Sequence, residues 1–127
     1  MKLDEEAFSA LMRAIEDLKE LAEEGAVIIV EGRRDAKALR MLGIRGRIVV
    51  SSNRSNAEIV DEVGFGKVVI LTDWDERGEA LKRDLTIKFS SWGVVPDVEI
   101  RRRIFSIVGR EITAVEDLAE FVMRHQL

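Results

Sequence analysis

The sequence predicts an α/β fold, a mostly parallel four-stranded sheet flanked by helices. Two five-residue runs dominated by β-branched apolar residues, Ala26-Val27-Ile28-Ile29-Val30 and Lys67-Val68-Val69-Ile70-Leu71, read as strands buried on both faces. Around them lie segments whose apolar residues recur at three- and four-residue spacing, the signature of amphipathic helices. The two signals alternate along the chain, which implies crossover connections and a parallel sheet covered on both sides.

Each element follows from local chemistry. Asp4 is placed to cap a long first helix carrying Phe8, Leu11, Met12, Ile15, Leu18 and Leu21, with Gly25 as its stop. The first strand then ends at Glu31. Asp35 to Leu42 has helical composition and is stopped by Gly43, and Arg47-Ile48-Val49-Val50 is a second strand candidate. Ser52 or Ser55 can cap a helix bearing Ala57, Ile59, Val60 and Val63, closed by Gly64-Phe65-Gly66. After the second buried run come Asp73 and Asp75, then a helix from Glu76 to Trp92 with Leu81, Leu85, Phe89 and Trp92 on one face. Val94-Val95-Pro96-Asp97-Val98 is the fourth strand, set near an edge by Pro96. A helix from about Glu99 to Val108 follows, and Thr113-Ala114-Val115-Glu116 reads as a capping box opening a last helix.

Composition narrows the class. A chain of 127 residues with 46% apolar and 35% charged residues is expected to form one domain, residues 1–127, with a core over about 25–100 framed by an N-terminal helix and C-terminal helices. No stretch approaches the roughly 18 uninterrupted apolar residues of a membrane span, and the acidic start lacks signal-peptide character, so a cytoplasmic location without a membrane partner is expected. The absence of cysteine removes disulfides, thiol nucleophiles and Cys-type zinc sites. His125, the single histidine, reads as a solvent-exposed residue near the C-terminus. A net charge of −4 argues weakly against nonspecific nucleic-acid binding, but the charge is uneven: acids crowd residues 4 to 24, and Arg33, Arg34, Lys37, Arg40, Arg45, Arg47 and Arg54 crowd the next segment. Lys82-Arg83 and Arg101-Arg102-Arg103 form further basic groups, lining a phosphate channel or coating a solvated helix.

In an open parallel sheet, ligands bind beyond the carboxyl ends of the strands, and Glu31, Asp73 and Asp75 all fall at such ends. Two carboxylates aimed together repel, and a divalent cation neutralises them more readily than a shared proton. Mg²⁺ is expected, as one or two ions with Mn²⁺ as a substitute, because it takes few carboxylates and accepts phosphate oxygens. If the strand of Glu31 neighbours that of Asp73, a strand spacing of roughly 5 Å lets the three acids meet one site. Asp is also common before helices, so Asp73 and Asp75 read equally as turn or cap residues on spacing alone.

Val30-Glu31-Gly32-Arg33-Arg34-Asp35 and, some forty residues later, Leu71-Thr72-Asp73-Trp74-Asp75-Glu76-Arg77-Gly78 resemble the two signatures of the Toprim domain. That module, with a Rossmann-like fold, is shared by topoisomerases, bacterial-type primases, OLD-family nucleases and 5S ribosomal RNA maturases. The resemblance implies that Glu31 is the catalytic general acid or base and also a metal ligand, and that Asp73 and Asp75 are the metal pair. It implies close phosphate approach at Gly32 and a tight helix start at Gly78, with Asp35 capping its helix or orienting Glu31. Arg33, Arg34 and Lys37 are placed to contact phosphates of a nucleic-acid partner, RNA or DNA. The chain departs from the topoisomerase pattern at Arg77, where those enzymes carry another acid, and Trp74 between the aspartates reads as a base-stacking residue or a loop anchor.

The chain has no tyrosine and no cysteine, which excludes a self-sufficient topoisomerase and a zinc-bearing primase. The enzyme class that remains is Mg²⁺-dependent hydrolysis or phosphotransfer on a phosphodiester, a nuclease acting in nucleic-acid or RNA processing. Two alternatives stand beside it: a non-catalytic, metal-dependent nucleic-acid- or ribosome-binding accessory domain, and an enzyme of small nucleotides or polyphosphate. Protein partners are compatible with either, and the sequence does not set an oligomeric state.

Overall fold

The computed structural model describes residues 3–126. Helix α1 (Glu5–Glu23) is capped by Asp4, whose carboxylate accepts from Ala7 N–H at 2.7 Å, and it buries Leu11, Ala14, Ile15, Leu18 and Ala22. At Gly25 the backbone turns through φ +99°, a conformation costly for any residue with a Cβ, and enters β1 (Val27–Val30). Helix α2 (Arg33–Met41), β2 (Ile48–Val50), α3 (Asn56–Val63), β3 (Val68–Ile70), α4 (Glu76–Ser90) and α5 (Glu99–Val108) follow. A short 3₁₀ turn over Val115–Asp117 leads into α6 (Leu118–Gln126).

The sheet has three strands in the order β2-β1-β3, all parallel, with Ile29 aligned to Val49 on one side and to Ile70 on the other. Because side chains alternate across a strand, Ile28, Val30, Val69 and Leu71 enter one apolar layer with α1, α5 and α6, and α2 seats Leu39 there. Ile29, Val49, Val68 and Ile70 enter the other, with Ile59 and Val60 of α3 and Leu85 and Phe89 of α4. The chain leaves β1 toward β2 by α2 on one face and comes back to β3 by α3 on the opposite face. The reversal opens a crevice at the carboxyl ends of β1 and β3, where ligands bind in folds of this kind.

Several expectations are corrected. The fourth strand is reduced to one parallel bridge between Val69 and Asp97: Asp97 N–H donates to Val68 O at 2.8 Å and its carbonyl accepts from Ile70 N–H at 2.9 Å. Pro96 supplies no N–H to lengthen the ladder, and Asp97 turns the chain at once, its Oδ1 accepting from the N–H groups of Glu99 and Ile100 at the start of α5. Of the two serines, Ser55 caps α3, accepting from Glu58 N–H at 3.1 Å. Helix α2 begins two residues before Asp35, and α4 ends before Trp92, which lies 5.2 Å from the exposed Phe65 instead of on the buried face. Thr113 does not cap the last helix; carboxylates from elsewhere in the chain hold that terminus. His125 is packed rather than exposed, stacked 4.2 Å from Phe121 with Nδ1 on the Phe121 carbonyl.

Candidate functional site

Parallel pairing of β1 with β3 brings Glu31 and Asp73 side by side just beyond the strands. Asp73 N–H donates to Glu31 Oε2 at 2.7 Å, which anchors the glutamate where β1 ends. Its other oxygen lies 4.0 Å from the largely exposed Arg77 guanidinium. Asp73 Oδ1 accepts from Val115 N–H at 2.8 Å, and Asp75 Oδ1 accepts from Gly78 N–H at 2.7 Å as the N-cap of α4. Each aspartate is therefore a cap through one oxygen, as spacing alone allowed, and keeps the other oxygen for a ligand. Asp35 is buried, accepts from Gly32 N–H at 2.9 Å and from Glu116 N–H, and so caps its own helix and the terminal turn together. Among the described residues, no hydrogen bond joins it to Glu31.

The carboxylates feel one another. Burial pushes the Asp73 carboxyl up to about 6, the charges of Glu31, Asp75 and Glu116 add to the rise, and the Val115 N–H opposes it. Burial and the Asp73 charge likewise push Asp35 up to about 6, against the hydrogen bonds from Gly32 and Glu116. Among the described residues, no three acids converge into a ready coordination cluster. The donor set is all oxygen and carries excess negative charge, which matches a hard cation that binds through one or two carboxylates and keeps several waters.

The loop between the aspartates is held from behind by Arg101, which neither lines a phosphate channel nor coats a solvated helix, the two readings its sequence group allowed. Arg101, 2% exposed, donates from Nε to Thr72 O at 3.0 Å, from Nη2 to Asp73 O at 2.8 Å and from Nη1 to Glu79 at 3.0 Å. Its guanidinium lies 4.9 Å from the centre of the Trp74 ring, which stacks on Phe105 at 5.5 Å. Trp74 N–H donates to Thr113 O, so Trp74 is an anchor of the loop. A signal for Arg101 did exist: Ile100, Arg101, Ile104, Phe105 and Val108 form one helical stripe, and an arginine inside an apolar stripe is buried with partners. Arg102 is exposed and pairs with Glu99, and the half-buried Arg103 pairs with Asp17 of α1.

Gly78 stands where no larger residue fits, since a Cβ there would lie 1.9 Å from the Asp73 carbonyl oxygen. Thr72, fully buried, donates to the Gly78 carbonyl at 2.8 Å and closes the same turn. Gly32 is different, because a Cβ would meet only Asp35 Oδ2, at 3.7 Å. Arg33, Arg34 and Lys37 are exposed on the first turns of α2 and find no ionic partner among the described residues.

The family model described as Toprim domain matches residues 26–107, a span that begins at β1 and runs to the end of α5. The chain belongs to the Toprim family. It is 40% identical to a UPF0292 protein of Archaeoglobus fulgidus over 116 residues, covering 91% of this chain and 92% of that protein. A UPF0292 protein of Methanocaldococcus jannaschii is 35% identical, covering 93% of this chain and 94% of its own. A solved structure of a protein from Aquifex aeolicus superposes with a TM-score of 0.71 at 30% identity, over 84% of this chain and 96% of that one. Membership of the Toprim family suggests a metal-dependent function related to nucleic acids. Among the described residues, no helix is long and apolar enough to cross a membrane.

Proposed function

We propose that this Toprim protein hydrolyses phosphodiester bonds of RNA or DNA with Mg²⁺, using Glu31 as general acid or base and Asp73 and Asp75 as the metal-binding pair. The observation that carries the reading is the hydrogen bond from Asp73 N–H to Glu31 Oε2, which fixes a proton-handling carboxylate beside the aspartate loop at the crevice of the sheet. Bound to Asp73 and Asp75, Mg²⁺ would supply neutralisation of the charge that develops on the phosphate oxygens. Glu31 takes the proton of the attacking water or returns one to the leaving oxygen. Arg33, Arg34 and Lys37, which follow Glu31 and have no ionic partner among the described residues, neutralise neighbouring phosphates of the strand. Arg101 and Gly78 keep the Asp73–Asp75 loop in place without touching substrate.

A second reading, a metal-dependent nucleic-acid-binding domain that does not cut, draws on one observation: one oxygen of each aspartate is already engaged as a cap. Incubation of labelled RNA and DNA strands, single and folded, with protein and Mg²⁺ or Mn²⁺ separates the two. Cleavage that falls by about 10²-fold or more in Glu31→Gln, with strand binding retained, is the expected result. Binding without cleavage across the panel would overturn the nuclease reading in favour of the second.

A further inference from the structure

A cleft of about 400 Å³ opens between the β2–α3 loop and the first turns of α4, and Glu31 forms part of its wall. It lies on the α3–α4 side of the sheet, whereas the exposed cations of α2 lie on the α1–α6 side. Glu31 stands between them. A strand that laid its phosphates along Arg33, Arg34 and Lys37 and passed over Glu31 would next meet this cleft.

The lining has the chemistry of a nucleotide. Arg77 is exposed at the mouth beside Glu31. Arg54 shares the carboxylate of Glu62 with Arg47, so two guanidinium groups answer one acid outside the cleft. The other acid of the cleft, Asp84, is engaged by Lys88 at 2.8 Å and by Asn56 Nδ2 at 2.6 Å. That bond orients the Asn56 amide and leaves its carbonyl oxygen and second hydrogen to a ligand. Ser52 and Asn53 add neutral donors and acceptors, Asn53 at φ +62°, and Leu81 supplies apolar surface. Guanidinium groups, amides, hydroxyls and apolar surface in one lining together fit a phosphate joined to a nucleoside. They do not fit a bare metal or a purely apolar ligand.

We propose that this cleft is a nucleotide subsite, seating one unit of the nucleic-acid strand with its phosphate on Arg77 and Arg54 and its nucleoside against Leu81 and Asn56. Placing the adjoining phosphodiester at Glu31 rests on the function proposed above; the contacts within the cleft are independent of whether that bond is cut.

The test is the affinity of a fluorescein-labelled ten-nucleotide single strand, as RNA and as DNA, for the Glu31→Gln protein with Mg²⁺, and for the same protein carrying a second change. Arg77→Ala and Asn56→Ala are each expected to weaken binding about fivefold or more, as loss of a charge-assisted or oriented hydrogen bond does. Arg83→Ala removes the same charge from a neighbouring groove of α4 and is expected to change affinity by less than about twofold. Equal effects of Arg77→Ala and Arg83→Ala would reduce the cleft to diffuse electrostatics and overturn the subsite, as would an Asn56→Ala protein with unchanged affinity or a strand that does not bind at all. If the wild-type protein cuts nothing and the binding pattern holds, the nuclease reading falls and the subsite stands. If it cuts and the pattern is missing, the subsite falls and the nuclease reading stands.

Discussion

The two strand-to-helix junctions that build the site are alike in sequence and opposite in construction. At β1–α2, Glu31 is followed by Gly32, and the cap comes from inside the helix when Asp35 reaches back to Gly32 N–H. At β3–α4, Asp75 caps the helix directly, Gly78 lets the helix press on the Asp73 carbonyl, and Arg101 ties that loop to α5. The cations differ in the same sense. Those of α2's first turns find no ionic partner among the described residues, whereas Lys82, Arg83 and Arg101 all converge on Glu79. One junction is open, and the other is locked from behind by Arg101 with Arg77 left exposed at its front. The difference teaches that, where two acidic motifs make one site, rigidity can be concentrated behind one of them while the other keeps its charges available.

The strongest way to break the comparison is a methyl group. Gly78→Ala would drive a Cβ to 1.9 Å from the Asp73 oxygen, with backbone on both sides of the clash, and is expected to cost about 3 kcal/mol or more. Gly32→Ala meets one carboxylate oxygen at ordinary contact distance and is expected to cost under about 1 kcal/mol. Urea unfolding of the two variants decides it, and similar losses would show that the junctions are equally tight. Next in size is Arg101→Met, which strands one buried and one half-buried carbonyl and leaves Glu79 short of a partner. A loss of about 2–3 kcal/mol is expected, below the full cost of a broken buried pair because Glu79 is partly exposed. In a Trp92→Phe background, Trp74 alone reports the loop by fluorescence, and its emission should shift toward the red with Arg101→Met. Arg101→Lys should recover only part of either signal, since an ammonium cannot bond the three acceptors in the same geometry. An unshifted emission would mean that Arg101 does not order the loop.

Much of this was legible in the sequence. The buried strands, the helix spans and the position of the three acids come from local periodicity and from where acids follow apolar runs. What was not legible depends on partners distant in the chain. Val94–Val98 has strand composition, but Pro96 lacks a donor and Asp97 is claimed by the start of α5, so only one bridge survives. Thr113-Ala114-Val115-Glu116 has the form of a capping box, yet Asp73 and Asp35 reach the N–H groups of Val115 and Glu116 instead. The triplet Arg101-Arg102-Arg103 reads as uniform charge, and packing alone separates the buried first arginine from the exposed second and the half-buried third.

A smaller effect tests whether the acids are held together at a cost. Asp73 titrates at about 6 in the folded protein against 3.8 in its absence, so the folded state holds that proton more tightly. Below about pH 4 the group is protonated in both states and imposes no penalty; as pH rises toward 6 the unfolded chain releases its proton first and stability declines. Asp73→Asn keeps an oxygen for Val115 N–H and cannot ionise. It should be more stable than wild type by about 1–2 kcal/mol above pH 6, less than two full pKa units imply because residual solvent screens the charge, and the gain should vanish near pH 4. Mg²⁺ should raise the melting temperature of the wild type and leave Asp73→Asn unmoved. A variant less stable than wild type at pH 8 would place the value of Asp73 in its cap alone.

The smallest effect addresses the cations. For a single strand, the slope of log affinity against log salt reflects the number of phosphates neutralised, at roughly 0.7 for each contact. Arg34→Ala and Lys37→Ala remove charges without ionic partners, so each should lower the slope by about that amount while moving stability by less than about 0.5 kcal/mol. Arg83→Ala removes a cation already shared with Glu79, and its slope should hardly change. The contrast matters because all three substitutions alter the net charge equally. If all three lowered the slope alike, the protein would be acting on the strand through its overall field. If only the α2 pair did, the phosphates would lie along the open junction, with the locked one serving to keep Asp73 and Asp75 beside it.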